Sequence, residues 1–232
     1  MITTSNLPPS LLHSPLMLTG LDKVFLADTS THPAVNSKVK RLIDILGAIV
    51  GLGITALIII PVAIAIQLDN PGPIFYNQVR CGLNGQTFRI WKFRSMVCHA
   101  DKLKHLVHNE AKGSIFKNRN DPRVTRVGRF LRSTSLDELP QFWNVLRGEM
   151  SLVGTRPPTV DEVMKYKSHH FKRLLVKPGI TGEWQANGRS NVEDFEDIVK
   201  MDIAYQEKWS IAYDLTLILK TITTVLSKTG AH

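Results

Sequence analysis

Thiols and acids are the scarce groups in this chain. Cys81 and Cys98 are its only cysteines, with no CxxC or other metal-ligand spacing. A disulfide framework and a thiolate metal centre are therefore excluded, and free thiols in a reducing compartment are expected. Acids number 20 against 29 lysines and arginines, which leaves a formal net charge of +9. That balance favours an anionic partner: nucleic acid, a lipid headgroup surface or a phosphorylated substrate. No basic start followed by an apolar run opens the sequence, so a signal peptide is not expected. Internal repeats and low-complexity tracts are missing too. The eight histidines, His169 and His170 among them, show no ligand spacing and are expected at the surface.

A further absence carries more information. Between Asp44 and Asp69 no residue is charged, and little besides Thr55, Gln67 and the glycines interrupts the apolar run. A helix needs about 20 such residues to cross a hydrocarbon core, whereas a buried soluble helix would keep a polar face. Membrane insertion is expected. Lys38, Lys40 and Arg41 precede the run, and Arg80, Arg89, Lys92 and Arg94 follow it. With both flanks basic, the charge rule assigns no orientation to a simple crossing. Pro61 removes one helical hydrogen bond and should kink the helix. A kinked crossing and an excursion that returns to the same face both fit these residues.

At 232 residues the chain has room for one globular domain with extensions. Residues 1–36 mix Pro8, Pro9, Pro15 and Pro33 with many serines and threonines, and are expected to be disordered. After the apolar run, Asn84-Gly85 lies between extended-looking stretches (74–79 and 87–93) and predicts a β-hairpin. Residues 97–112 look helical and polar. From Asn191 onward, Phe195, Ile198, Met201, Tyr205 and Trp209 predict an amphipathic helix, and a second follows with Ile211, Leu215, Leu219 and Ile222 in step. Trp209 and Tyr213 at their junction suit either a membrane interface or core packing.

The stretch RSTSLDELPQFWNVL (132–146) holds the adjacent acids Asp137 and Glu138. Ser135 with Glu138 matches a capping box, which would make Glu138 structural. Pro140 fits the first helical turn if Asp137 is the N-cap. Around the acids stand Arg126, Arg129 and Arg132, then Arg156 between Gly-Thr and Pro-Pro, with Lys92 and Arg94 in WKFRSM. Cations or Mg2+ to neutralise phosphate, plus an acid to attack phosphorus or hold metal, are the parts of a phosphoryl-transfer site. KPGITGEWQANGRS (177–190) adds glycines that would let backbone amides approach a ligand, with Trp184 and Arg189 to hold a nucleotide diphosphate.

In order, a basic-flanked apolar helix with an internal proline, KFRSM, LRSTSLDELPQFWNVLRGEMSLVGTRP and KPGITGEWQANGR resemble the bacterial sugar transferase family, the monotopic polyprenyl-phosphate phosphoglycosyl transferases. The resemblance covers about residues 38–228. It implies an α+β fold: a re-entrant membrane helix (37–69) joined to a small cytosolic catalytic domain (70–232) with amphipathic interfacial helices. Residues 1–36 would be the extension, and the chain would be the short form with a single catalytic domain. It further implies transfer of a sugar-1-phosphate from a UDP-sugar to undecaprenyl phosphate, releasing UMP, at the cytoplasmic face of the bacterial inner membrane. This would be the first membrane step of exopolysaccharide or other glycoconjugate assembly.

By resemblance, Asp137 is the nucleophile of a ping-pong route through an aspartyl phosphosugar. Glu138 assists or binds metal, and Mg2+ sits at Asp137 and Glu138. Lys92, Arg94, Arg132, Arg156, Pro157 and Arg189 are expected around the nucleotide-sugar phosphates, and Pro61 at the membrane helix break. Three departures stand out. The family's serine before the helix proline is Ile60 here, and Thr155 replaces a common proline, which implies a looser loop under Arg156. Cys81 stands where a proline often precedes the glycine. Partners are the UDP-sugar, undecaprenyl phosphate and membrane lipids. A homo-oligomer is left open. A membrane-anchored binder of anionic polymers leaves the two acids unexplained, since carboxylates oppose polyanion binding; nucleic acid is not expected. A hydrolase of lipid-linked phosphates could use the same acids.

Overall fold

A computed structural model of the chain describes residues 31–116, 118, 120–188 and 194–226. Within the expected extension, residues 31–36 are ordered. A short helix α1 (Pro33–Asn36) buries Ala34, and His32 Nε2 donates to the Gln206 carbonyl at 3.0 Å. The rest of the extension, residues 1–30, lies outside the described residues.

The apolar run forms one helix, α2 (Lys38–Asp69), capped at its start by the Ser37 hydroxyl, which accepts from the Lys40 amide. Pro61 lies inside it without interrupting it, so the expected break is not a break in helical structure. Loss of one amide in a long helix bends or weakens it locally, while the turns on either side carry it through. By length and composition α2 could cross a membrane. Its inward residues recur at three- and four-residue steps (Lys40, Asp44, Ala48, Gly51, Thr55, Val62, Ile66), which is one face of a helix. The opposite face leaves Leu42, Leu46, Ile49, Leu57, Ile60 and Leu68 exposed.

That inward face rests on the globular part from end to end. Lys40 bonds Asp214 and the Val153 carbonyl, and Arg41 donates to the carbonyls of Val145 and Leu146 at 2.7 Å each. Asp44 accepts from the Ser151 hydroxyl and the Leu152 amide. Mid-helix, a Cβ on Gly51 would come within 2.3 Å of the Phe142 ring, so only glycine allows that approach. Further along, Val62 and Ile66 pack with Phe93 and Leu131, and Asp69 accepts from the Val127 amide at 2.9 Å.

The hairpin forms as expected: β1 (Phe75–Cys81) pairs antiparallel with β2 (Thr87–Phe93), with Asn84 and Gly85 at positive φ in the turn. Cys81 is fully buried with Val163, Phe171 and Leu174, and both cysteines are free thiols. Burial pushes the Cys81 thiol up to about 12. Residues 97–112 do not make the expected helix. Only a 3-10 turn (Ala100–Leu106) forms there, with Ala100 its single buried residue, because the stretch offers no apolar stripe to dock.

Then come α3 (Arg126–Ser133), a 3-10 turn (Leu136–Glu138), α4 (Gln141–Arg147) and β3 (Ser151–Val153). After α5 (Val160–Val163), β4 (Gly179–Thr181) pairs parallel with β3, and α6 (Glu183–Gly188) follows. Two helices close the described chain, α7 (Phe195–Lys208) and α8 (Ile211–Leu226). Trp209 and Tyr213 settle the choice their positions left open: they pack on Tyr205, Val153 and Leu217, and the Trp209 indole donates to Asp214. Leu215, Leu219 and Ile222 of α8 stay exposed.

Candidate active site

Three elements bring the acids and bases together. The Leu136–Glu138 turn starts at Ser135, whose φ of 55 is left-handed, and the Ser135 side chain does not cap it. The capping box expected of Ser135 and Glu138 is therefore absent. Capping residues reach the following amides from extended backbone, which Ser135 does not have. Leu136 and Leu139 flank the acids and pack against Val62, Ile66, Phe93 and Leu131, which pins the turn on α2. Pro140 directly precedes α4, where no intrahelical amide bond is lost.

Asp137 is buried, 5% exposed. The Glu138 carboxylate points to β2, where Lys92 Nζ donates to it at 2.7 Å. Strand β2 is in turn fixed by Asn144 of α4, whose side chain accepts from the Trp91 amide and donates to the Arg89 carbonyl. Lys92, Asp137 and Glu138 are thus held by one interlocked piece of hairpin, turn and helix.

A second cluster centres on the Arg156 loop. Arg156 Nη1 donates to Glu162, 3.2 Å to Oε2, and its guanidinium lies 6.0 Å from the centre of the Trp184 ring. Arg80 of β1 braces the same loop, donating to the Pro157 carbonyl at 2.9 Å. Pro157 is buried and acts through that carbonyl. The loop is not loosened by Thr155, which is 2% exposed and donates its hydroxyl to the Arg173 carbonyl at 3.1 Å. Burial, then the charge of Arg156, push Arg80 down to about 10, while Glu162 and Glu138 pull it up. Burial pushes the Glu162 carboxyl up, yet Arg156, Arg80 and the Thr159 amide outweigh it and hold it below the ordinary value.

Other expected site residues have different neighbours. Arg132 donates from Nε to the Ser95 hydroxyl at 2.9 Å. Arg94 is buried and clamps the turn after α2, bonding the Asn70 side chain and carbonyl and the Cys98 thiol, so its charge is spent on the frame. Arg189 lies outside the described residues. Gly179 and Gly182 allow close backbone contact: a Cβ on Gly179 would sit 2.2 Å from the Gly154 amide nitrogen, and one on Gly182 2.1 Å from the Gly154 carbonyl oxygen.

Glu162 was not singled out by sequence. His169 and His170 were expected at the surface, but His170 is 2% exposed, and the pair forms a clasp with Glu196 whose ligand atoms lie within 4.8 Å of one another. His170 Nδ1 accepts from the Lys167 amide at 3.0 Å, so the neutral ring carries its proton on Nε2 and donates it to Glu196 at 3.0 Å. A metal on that nitrogen would force the proton onto Nδ1, against an amide N–H. The trio reads as a hydrogen-bonded clasp between the Ser168–Leu175 turn and α7.

Comparison with known proteins adds to this geometry. The sequence pattern described as bacterial sugar transferase matches residues 35–228. A galactosyl transferase, CpsE, of Streptococcus agalactiae serotype III is 53% identical over 197 residues, 83% of this chain and 43% of the relative. An undecaprenyl-phosphate galactose phosphotransferase of Salmonella typhimurium is 42% identical over 199 residues, 83% of this chain and 41% of that protein. The exopolysaccharide production protein ExoY of Rhizobium meliloti is 36% identical over 211 residues, 88% of this chain and 93% of its own length. The chain thus spans less than half of the first two relatives and nearly all of the third.

Proposed function

The chain belongs to the bacterial sugar transferase family, and on that premise we propose that it transfers a sugar-1-phosphate from a UDP-sugar to undecaprenyl phosphate. UMP and undecaprenyl diphosphate-sugar are the products, in the first membrane step of exopolysaccharide or related glycoconjugate assembly. The observation that carries this reading is the buried Asp137 carboxylate next to Glu138, itself held by Lys92 at 2.7 Å. A carboxylate so placed suits nucleophilic attack on phosphorus, and the flanking cations suit charge on the transferring phosphoryl group.

An Asp137 oxygen attacks the sugar-proximal phosphorus, the bond to the UMP oxygen breaks, and UMP leaves. A phosphate oxygen of undecaprenyl phosphate then attacks the aspartyl phosphosugar and returns Asp137 as a carboxylate. Lys92 keeps Glu138 in place beside the reacting carboxylate, while Arg132 and Arg156 receive phosphate oxygens. Two adjacent carboxylates are the hard oxygen donors Mg2+ takes alongside substrate phosphates, so Asp137 and Glu138 fit that ion. Bound there, it would supply charge neutralisation to the diphosphate.

The membrane reading extends this. What supports an excursion of α2 that returns to the cytoplasmic face is that Lys40 at one end and Ile66 at the other pack on the same globular body. The outward apolar face, with that of α8, would meet the inner leaflet.

The test is UMP release by purified protein in detergent with Mg2+, undecaprenyl phosphate and a panel of UDP-sugars. Silence with every sugar rejects the transferase. Full turnover without lipid acceptor replaces it with hydrolysis. Release untouched by Asp137→Asn removes Asp137 as nucleophile and leaves the reaction standing.

A further inference from the structure

Glu162 is 8% exposed, and its carboxylate is shared between two tasks. Its Oε2 accepts from the Thr159 amide at 2.8 Å, and the Thr159 hydroxyl accepts from the Glu162 amide at 3.2 Å. This reciprocal cap of α5 fixes the side chain in one place. The same carboxylate accepts from Arg156 Nη1, at 3.2 Å to Oε2 and 3.5 Å to Oε1. On another side Trp184 offers its ring to the guanidinium at 6.0 Å.

A guanidinium presents five N–H donors in a rigid fork, so fixing one nitrogen and one face orients the rest. The loop beneath cannot swing, because Arg80 Nη1 holds the Pro157 carbonyl at 2.9 Å and Arg80 Nη2 is held by Gln78 at 2.7 Å. A carboxylate here also cancels one of the two positive charges, which on its own would weaken an anion site. Its presence makes sense if orientation of Arg156 matters more than raw charge.

We propose that Glu162 is a positioning residue: it holds Arg156 through Nη1 so that the remaining N–H groups meet the diphosphate of the nucleotide sugar. The inference rests on the transferase reading and on Arg156 as a phosphate ligand. Thr159 and Glu162 thus convert a helix cap into a mount for the arginine. Local helix chemistry sets the aim of a binding group.

Glu162→Gln is the informative variant, because glutamine keeps the length and can serve the cap while the ion pair is lost. Its affinity for UDP, read by calorimetry in detergent, should weaken about tenfold, as loss of a preorganised charge-assisted contact does. The KM for UDP-galactose should rise by a similar factor with kcat within about twofold, the pattern of lost binding and not of lost chemistry. Arg156→Gln should weaken UDP at least as much, and the double variant should be no weaker than Arg156→Gln alone. Additive losses overturn the proposal. So does a Glu162→Gln protein that melts lower yet binds UDP as the wild type does, or one that loses kcat alone. Unchanged UDP affinity in Arg156→Gln overturns it together with the role of Arg156, and UMP release by the wild type then still decides the transferase reading.

Discussion

The interior of this molecule and the wall made by its two site clusters both pair acids with bases, at similar distances and to different ends. Inside, Arg173–Asp202 and Lys40–Asp214 close at 2.6 Å with no side chain more than 7% exposed. On the wall, Lys92–Glu138 and Arg156–Glu162 close at 2.7 and 3.2 Å, with the cations 25% and 23% exposed. A buried ion cannot change partner without standing unpaired in a low-dielectric medium. A wall cation already touches water, so its free N–H groups can meet an arriving phosphate while its acid partner stays in place. Among the paired cations, burial more than distance separates those that frame from those that work.

This contrast can be broken by substitution. The largest effect expected is on the wall: Asp137→Asn should lower UMP release by about 10³-fold or more, with a melting temperature close to wild type. In the interior the pattern should reverse. Asp202→Ala strands Arg173 and should cost about 3–5 kcal/mol of stability, read by denaturant unfolding in detergent. Retained stability there would show that the buried pair is no frame at all. Lys92→Ala should cut activity by about 10²-fold while changing stability by at most about 1 kcal/mol, since half-exposed pairs contribute little to folding. A large loss of stability would place Lys92 with the interior group.

The smallest effect concerns pH. Burial lowers the His170 pKa, against the pull of the Glu196 bond. The folded state therefore favours neutral His170, and its contribution is present above the unfolded value near 6.5. It fades as pH falls from there through the depressed folded value. Between pH 8 and pH 5 the wild type should lose more melting temperature than His170→Gln, by no more than about 4 °C. Parallel curves would remove the clasp from the account.

Two copies of one short signature have opposite outcomes in the structure. Ser135 and Glu138, three apart, look like a capping box, and so do Thr159 and Glu162. Thr159 sits in extended backbone and forms the box; Ser135 is left-handed and does not. Its conformation is imposed by Leu136 and Leu139, which plunge into a cluster made with α2 and β2. That tertiary demand is invisible to a local pattern. The hairpin and the two closing helices were legible because their signals are local: Asn84-Gly85 at a turn, and apolar residues at helical spacing. The acid pair with its Lys92 partner was legible only through the ordered motifs. The structural employment of Arg94 was not, since its partner Asn70 belongs to a turn whose geometry depends on where α2 ends. Glu162 could have been found from Thr159-Val-Asp-Glu, had the box been read as a way to aim a neighbour.

The clamp on the start of α2 carries a consequence for how the chain is made. Lys40 and Asp214 are 174 residues apart in sequence. At about 5–20 residues per second, synthesis of the intervening chain takes roughly 9–35 s. For all of that time Lys40 lacks its partner, and from the completion of α2 at Asp69 the helix waits for the domain it rests on. The bilayer is the one surface that can receive it meanwhile, so the helix should settle in lipid first and the globular part should fold onto it afterwards. The order of synthesis would then fix on which side of the membrane the domain assembles.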